Sequence, residues 1–315
     1  MSDDVELRDV LTGLRGPDKR IATKYHYDEI GSRLFEDITE LDEYYLTRTE
    51  RALLNLWMPT LVAELRPAAL VELGAGSAEK SRIILDAMVA SGSGVAYVPV
   101  DVSADFLDAT ATRLRDEYPS LTIRPHVADI TEPLDLPPDL AHPRWIAFLG
   151  STLGNFDETE AEELLRRIGG RLDSGDRFLL GVDLRPGPKK SVARVEAAYN
   201  DARGVTERFS LNILSVLNNR FGSDFDLDAF EHRSTYNPDH GRIETRLVST
   251  REQCVEFPGG IRIPVNDGEA IQTEISSKYD RDTIDRLFGP AGLTVDRWME
   301  DEDGLYALVL SGPAD

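Results

Sequence analysis

Cysteine is nearly absent: Cys254 is the only one in 315 residues. One thiol makes no intrachain disulfide and no cysteine cluster for zinc. Histidine is sparse too. His26, His126, His142, His232 and His240 are scattered, none at i, i+4 from another or inside an H-E-x-x-H frame, so no metal site is expected. Basic charge is short: 35 Lys and Arg stand against 57 Asp and Glu, a formal net charge of -22. Such a chain repels polyanions, so neither nucleic acid nor an anionic membrane is an expected partner. The plainest reading of the acidic excess is a well-solvated surface. No apolar run reaches the length of a membrane span. MSDDVELRDV has neither the basic nor the apolar region of a secretory signal. A cytoplasmic monomer is the expectation.

Apolar residues are plentiful, at 41%, enough for packed cores. In the middle of the chain they alternate between strand-like and helix-like patterns. ALVELGAG, GVAYVPVDVS, LTIRPHVADI, RWIAFLGST and DRFLLGVDL read as five strands. Between them, a helix is expected from Glu79 to near Gly92, another over DFLDATATRLRDEY, and a third over DETEAEELLRRIGGRL, where Ala161, Leu164, Leu165, Ile168 and Leu172 share a face. This alternation predicts an α/β fold with a parallel sheet covered on both faces. LTVDRWMEDEDGLYALVLSG then reads as strand, acidic turn, strand. A closing hairpin on a doubly wound sheet resembles the Rossmann-like methyltransferases that use S-adenosylmethionine.

An insert of roughly ninety residues separates the fifth strand from that hairpin. It begins helical, with Val192, Val195 and Tyr199 on one face and Phe209, Ile213, Val216 and Leu217 on another. It turns β-like over STYNPDHGRIETRL, CVEFPGGIRIPV and IQTEISSKY, with N-P-D-H-G and P-G-G turns. The expected division is a nucleotide-binding domain over 49–189 and 279–315, and an α+β substrate-binding lobe over 1–48 and 190–278. The lobe is expected over the carboxyl ends of the strands, where open α/β sheets bind ligands.

VELGAGSAEKS holds the expected cofactor loop. Gly74 and Gly76 allow close backbone approach, and the following helix start offers N–H groups. A dinucleotide fingerprint needs a third glycine where Glu79 stands, and Glu79 is a poor neighbour for a pyrophosphate. Asp101, ending the second strand, can accept from both ribose hydroxyls. Asp129, after the third, can accept from an adenine amino group, with Ile130 against the ring. Each signal has an ordinary alternative: a glycine loop is often only a turn, and an acid at a strand end is often a turn or cap residue. Their succession at three strand ends favours S-adenosylmethionine.

KYHYDEIGSRLFEDITELDEYYLTRTE, VELGAGSAEKS, FLGSTLGNF, AAYNDARGVTERF and TEISSKY together resemble the bacterial histidine Nα-methyltransferases. That family makes hercynine, the trimethylated betaine on the route to ergothioneine. The likeness runs from about Tyr25 to the last strand. It implies two lobes, L-histidine as the small-molecule substrate, three methyl transfers, and S-adenosylmethionine as the only cofactor.

On alternation, Glu274 and Ser276 point the same way, about 7 Å apart. Alone they read as the solvent face of an edge strand. With the resemblance they become a clamp on the two imidazole nitrogens, the carboxylate taking an N–H and the hydroxyl serving the other nitrogen. Asn155 follows the fourth strand, where amine methyltransferases place the target atom, and the surrounding GSTLGNF is not the N-P-P-Y of amide and nucleobase enzymes. The resemblance assigns Tyr199 to the substrate carboxylate with Asn155, Tyr27 to the amine and Tyr44 to the imidazole. Any one of these tyrosines is otherwise an ordinary core aromatic. Lys80 and Gly150 are expected minor cofactor contacts. One departure stands out: Thr245 occupies a position where the family pattern favours a larger apolar side chain, which puts strict histidine preference in question.

The expected reaction is an in-line displacement in which the protein positions and desolvates. The amine must lose a proton first, and Tyr27 is the candidate to assist, directly or through water. The alternatives are a methyltransferase for another amino acid such as tryptophan, and a regulatory module that binds S-adenosylmethionine without turnover. An NAD oxidoreductase is opposed by Glu79 and the closing hairpin.

Overall fold

The computed structural model describes residues 3–133 and 135–314, with every side chain in them except those of Asp3 and Asp105. Residues 1, 2, 134 and 315, the outer ends of the expected domains among them, lie outside the described residues. The chain divides into two compact units. The first comprises Met1–Tyr45 with Lys190–Ser277, the second Leu46–Lys189 with Lys278–Asp315.

In chain order come α1 (Asp3–Arg15), β1 (Lys19–Arg20), α2 (Glu29–Thr39) and α3 (Tyr45–Leu65). Then follow β2 (Ala69–Leu73), α4 (Ser81–Ser91), β3 (Ala96–Asp101), α5 (Ala104–Glu117), β4 (Thr122–Ile123), β5 (His126–Val127), β6 (Arg144–Phe148), α6 (Glu158–Gly169) and β7 (Arg177–Asp183). The insert supplies α7 (Val192–Ala197), α8 (Val205–Phe221), β8 (Phe230–Asn237), β9 (Arg242–Ser249), β10 (Gln253–Phe257), β11 (Ile261–Val265) and β12 (Ala270–Ser277). The chain closes with α9 (Arg281–Phe288), β13 (Leu293–Glu300) and β14 (Tyr306–Pro313).

The second unit is built on one sheet in the order β13-β14-β7-β6-β2-β3-β4, with β5 also paired to β3. Strands β2 to β7 are parallel; β14 runs antiparallel to β7, and β13 antiparallel to β14. This is the Rossmann-like methyltransferase sheet with its closing hairpin. Covered on both faces, β2, β6 and β7 are almost wholly buried apolar runs. The chain leaves β2 toward β3 on one side and returns to β6 on the other. Loops that follow β2 and β6 therefore flank the switch point where such sheets bind ligands. Helix α6 begins at a reciprocal cap between Asp157 and Glu160, two orphan N–H groups satisfied together.

Two local expectations change. The third strand is split into β4 and β5 around Pro125, which has no N–H to donate to a ladder; its neighbour Arg124 N still donates to Tyr97 O at 2.9 Å. Helix α4 starts at Ser81 rather than Glu79, because Ala78 takes φ 56 and holds the chain out of helical geometry.

The first unit has a four-stranded sheet, β1-β12-β9-β8, and a separate hairpin of β10 and β11. Its apolar core joins Ile213, Leu214 and Leu217 of α8 to Leu247, Ile271, Val10 and Leu14. The Y-D-x-x-G-S stretch has a structural reason. Asp28 caps α2, accepting from Gly31 N at 2.7 Å and from Asn212 Nδ2 at 2.8 Å. A Cβ on Gly31 would stand 1.7 Å from the carbonyl oxygen of His26, so only glycine fits. The expected face shared by Val192, Val195 and Tyr199 does not form: α7 ends at Ala197, and Val192 is 42% exposed while Val195 and Tyr199 are buried.

Strand β12 departs most from the alternating pattern. Its first half lies between β1, which pairs with Ile271 and Gln272, and β9, while Glu274–Ser277 pair with β9. Ile271 pairs with Leu247 and Gln272 with Arg246, but Glu274 is next, opposite Thr245, followed by Ser276 opposite Ile243. Thr273 is the extra residue of a β-bulge. Ile243, Thr245 and Leu247 alternate along β9 and share a face. The bulge therefore moves Glu274 and Ser276 onto the face of Ile271, which is the core face of that sheet.

Candidate active site

In the second unit, the loop after β2 is held from beneath. Gly74 N and Ala75 N donate to Val100 O at 2.8 and 3.0 Å. Gly76 N donates to Asp101 Oδ2 at 3.0 Å. These three N–H groups of the loop are thus spent inside the protein. The loop is not an anion nest, which disfavours a pyrophosphate. Gly74 and Gly76 take φ 68 and 51, and a Cβ on either would meet nothing within 4 Å. The glycine side of the loop is open space.

Asp101 ends β3 with its two oxygens oriented by Gly76 N and, at 3.1 Å, Ser103 N. Each carboxylate oxygen has a second lone pair for a hydroxyl donor. Asp129 accepts from Thr131 N and Thr131 Oγ1 at 2.9 and 2.6 Å, both on Oδ1, leaving the orientation of Oδ2 fixed. Ile130 packs against the sheet core. These features fit a nucleoside with two ribose hydroxyls and an exocyclic amine.

The loop after β6 carries Gly150 at φ 82 and Ser151 at φ 58. Left-handed backbone at a serine costs about 1–2 kcal/mol, and Ser151 Oγ offsets it by accepting from Asp183 N at 3.0 Å. The turn Thr152–Asn155 follows and presents Asn155, half-buried, at its end.

Two acids here escaped the sequence reading. Glu72 lies inside β2 and is 3% exposed. Its Oε2 accepts from both Ser81 Oγ and Tyr97 OH. Burial pushes its pKa up to about 7, against the pull of those two hydroxyls and of Lys80. Glu50 on α3 is wholly buried and accepts from Lys80, Gly150 and Tyr306. The sequence signal available for Glu72 was an acid inside an otherwise apolar strand. Glu50 lies in the T-R-T-E stretch, but its partners stand 30, 100 and 256 residues away.

In the first unit, the aromatic residues form a connected group. Tyr27 lies edge-on to Phe35 and Phe209 at 5.8 and 5.6 Å between ring centres. Phe35 meets Tyr44 at 6.3 Å, and Tyr44 meets Tyr199 at 6.3 Å. Tyr199 OH and Ser276 Oγ share a hydrogen bond of 2.8 Å. Tyr44, Tyr199 and Ser276 are buried, Glu274 is half-buried and Tyr27 is 38% exposed. Four of the five residues expected at the acceptor in this unit, Tyr27, Tyr44, Tyr199 and Ser276, are thus linked through these contacts; the fifth, Glu274, lies on β12 opposite Thr245. Asn155 belongs to the second unit with the expected cofactor residues.

Thr245, the departure noted in sequence, is 1% exposed, and its Oγ1 pairs with Ser234 Oγ at 2.7 Å. Ser234 Oγ is 3.3 Å from His232 Nε2, which faces Tyr199 O at 2.8 Å. A hydroxyl pair thus stands opposite Glu274 where a large apolar group was expected. His26 is fully buried and stacked on Phe209 at 4.6 Å; burial pushes its pKa down to about 4, so the ring is neutral near pH 7.

A family model described as "Histidine-specific methyltransferase, SAM-dependent" matches residues 6–313. The chain is 38% identical over 305 residues to the histidine N-alpha-methyltransferase of Mycobacterium tuberculosis, covering 96% of this chain and 94% of the relative. It is 37% identical to that of Mycolicibacterium smegmatis with the same coverage. Among solved structures, an S-adenosylmethionine-dependent methyltransferase from Clostridium acetobutylicum superposes with a TM-score of 0.53 at 11% identity, covering 90% of this chain and 99% of that one. That last likeness speaks for the fold.

Proposed function

The chain belongs to the family of histidine-specific, S-adenosylmethionine-dependent methyltransferases, and from that premise we propose that it trimethylates the α-amine of L-histidine to hercynine, the opening step of ergothioneine assembly. The second unit holds the cofactor and the first unit grips the amino acid. The observation that carries this reading is the bulge at Thr273, with Glu274 and Ser276 on one face of β12 and Ser276 bonded to Tyr199.

Asp101 would receive the ribose hydroxyls and Asp129 Oδ2 the adenine amine, with Ile130 beneath the ring. Gly74 and Gly76 leave room for the methionine portion, and Lys80 and Gly150 border it. When bound, the cofactor supplies an electrophilic methyl carbon. The protein's part is to present a neutral amine in line with it and to exclude water.

Glu274 accepts the imidazole N–H. A serine hydroxyl that accepts from Tyr199 donates its own proton elsewhere, and the imidazole lone pair is a matching acceptor. An indole or phenyl ring leaves these buried groups unmatched at about 1–3 kcal/mol each. Tyr199 acts in this scheme through Ser276 as well as on the substrate carboxylate, which it shares with Asn155. Tyr44 closes the ring side. Tyr27, the most exposed of the aromatic group, passes the amine proton outward, directly or through water.

The test is a methyltransferase assay against all twenty amino acids, read by mass for one, two or three added methyls. Trimethylation of histidine is the expected result. Trimethylation of tryptophan but not histidine would replace the substrate. Failure to release S-adenosylhomocysteine with any amino acid would leave only a binding module.

A further inference from the structure

Glu50 is a fully buried acid of the second unit with both oxygens engaged. It lies on α3 with no side-chain exposure. Oε2 accepts from Lys80 Nζ at 2.6 Å, and Oε1 from Tyr306 OH at 2.7 Å. Gly150 N donates to both oxygens, at 2.8 and 3.0 Å. A buried carboxylate survives only when paired in this way.

The donors come from places that matter. Lys80 stands at the end of the loop after β2. Gly150 opens the loop after β6. Tyr306 begins β14. The first two loops flank the switch point of the sheet, so one side chain ties together both walls of the cofactor cleft. The surrounding structure is shaped to admit it. A Cβ on Gly181 of β7 would come within 2.0 Å of Glu50 Oε1. A Cβ on Gly150 would come within 3.0 Å of Lys80 Nζ.

We infer that Glu50 is the positioning residue of the cofactor cleft: its carboxylate sets the separation of the Lys80 and Gly150 loops and so the binding of S-adenosylmethionine, without touching the cofactor. The inference rests on placing the cofactor at the carboxyl ends of β2, β3 and β6. Glu50→Gln keeps the shape but replaces one acceptor oxygen by an N–H₂ that faces other donors. The Lys80 and Gly150 donors then lose their common anchor, and the loops lose their fixed spacing.

The experiment measures S-adenosylhomocysteine Kd by calorimetry, together with separate KM values for S-adenosylmethionine and histidine. Glu50→Gln is expected to raise the first two by about tenfold or more while moving the histidine KM by less than about twofold. Because Lys80 acts through Glu50, Glu50→Gln/Lys80→Met should bind no worse than Glu50→Gln alone; additive losses would mean the two act independently. A fall in thermal stability with unchanged Kd would make Glu50 a purely structural ion-pair partner and overturn the inference. Should Glu50→Gln fail to fold, Tyr306→Phe removes one bond and keeps the charge; it should raise Kd by a smaller factor, and an unchanged Kd overturns the inference. Asp101→Ala separates the two levels. A lost affinity there with unaltered Glu50→Gln and Lys80→Met sinks the Glu50 role alone; an unaltered Asp101→Ala sinks the cofactor placement and this inference with it.

Discussion

Tyr199 and Ser276, 77 residues apart in sequence, meet through a buried hydroxyl pair of 2.8 Å. A two-hydroxyl bond has a direction, and its direction decides what Ser276 presents to a substrate ring. Tyr199→Phe leaves Ser276 to reorient. It is expected to raise the histidine KM by about tenfold, the worth of one buried hydrogen bond, with S-adenosylhomocysteine affinity unchanged. Steady-state kinetics and calorimetry check both halves.

Glu274→Ala should cut kcat/KM for histidine by about a hundredfold, since it removes a charged acceptor for the imidazole N–H. The relative rate with tryptophan should rise at the same time. Equal loss of histidine use and of cofactor affinity would mean that Glu274 is not at the acceptor.

Thr245→Met would replace a hydroxyl partner of Ser234 by a larger apolar group opposite Glu274. The expected outcome is narrower acceptor tolerance: rates on ring-substituted histidines fall by about fivefold or more relative to histidine. An unchanged ratio across such a series would remove Thr245 from the pocket wall.

Burial pushes Glu72 from 4.5 up to about 7. In that interval the folded chain holds a proton that the unfolded chain has released, so stability declines as pH rises through it. His26 goes the other way, from 6.5 down to about 4. There the unfolded chain binds the extra proton, and stability declines as pH falls. Glu72→Gln should therefore gain on the parent as pH rises through the first interval. His26→Gln should gain on it as pH falls through the second. Denaturant midpoints across the two windows give the slopes.

Gly31→Ala forces a methyl group into the carbonyl oxygen of His26, 1.7 Å away. The backbone must move, at a cost of about 2–4 kcal/mol. Thermal unfolding should show it, and the serine and alanine variants should behave alike.

Much of the second unit's sheet was readable because parallel strands buried on both faces leave plain apolar runs: ALVEL, AYVPVD, RWIAF and RFLLGVD all form strands. The N-terminal cap at Asp157 and the closing hairpin were equally local signals. Pro125 divided the third strand for a reason already written in its missing N–H. Other features were invisible because they depend on distant partners. Nothing near Glu50 announces Lys80, Gly150 or Tyr306. Nothing in VELGAG says that the loop's N–H groups go to Val100 and Asp101. Period-two reading of IQTEISS kept Glu274 and Ser276 on a common face but assigned that face to solvent, because a bulge appears only when the partner strand's register is known.

The bulge at Thr273 also makes this sheet's face depend on one residue left out of the ladder. Given a partner of its own, by one extra residue in β9 between Thr245 and Arg246, Thr273 would restore unbroken alternation after Gln272. Thr273 and Ile275 would then stand on the face of Ile271, and Glu274 and Ser276 would turn to the other side. A recognition surface for a polar heterocycle would become a greasier one through a slip of a single position, with no side chain of β12 chemically altered.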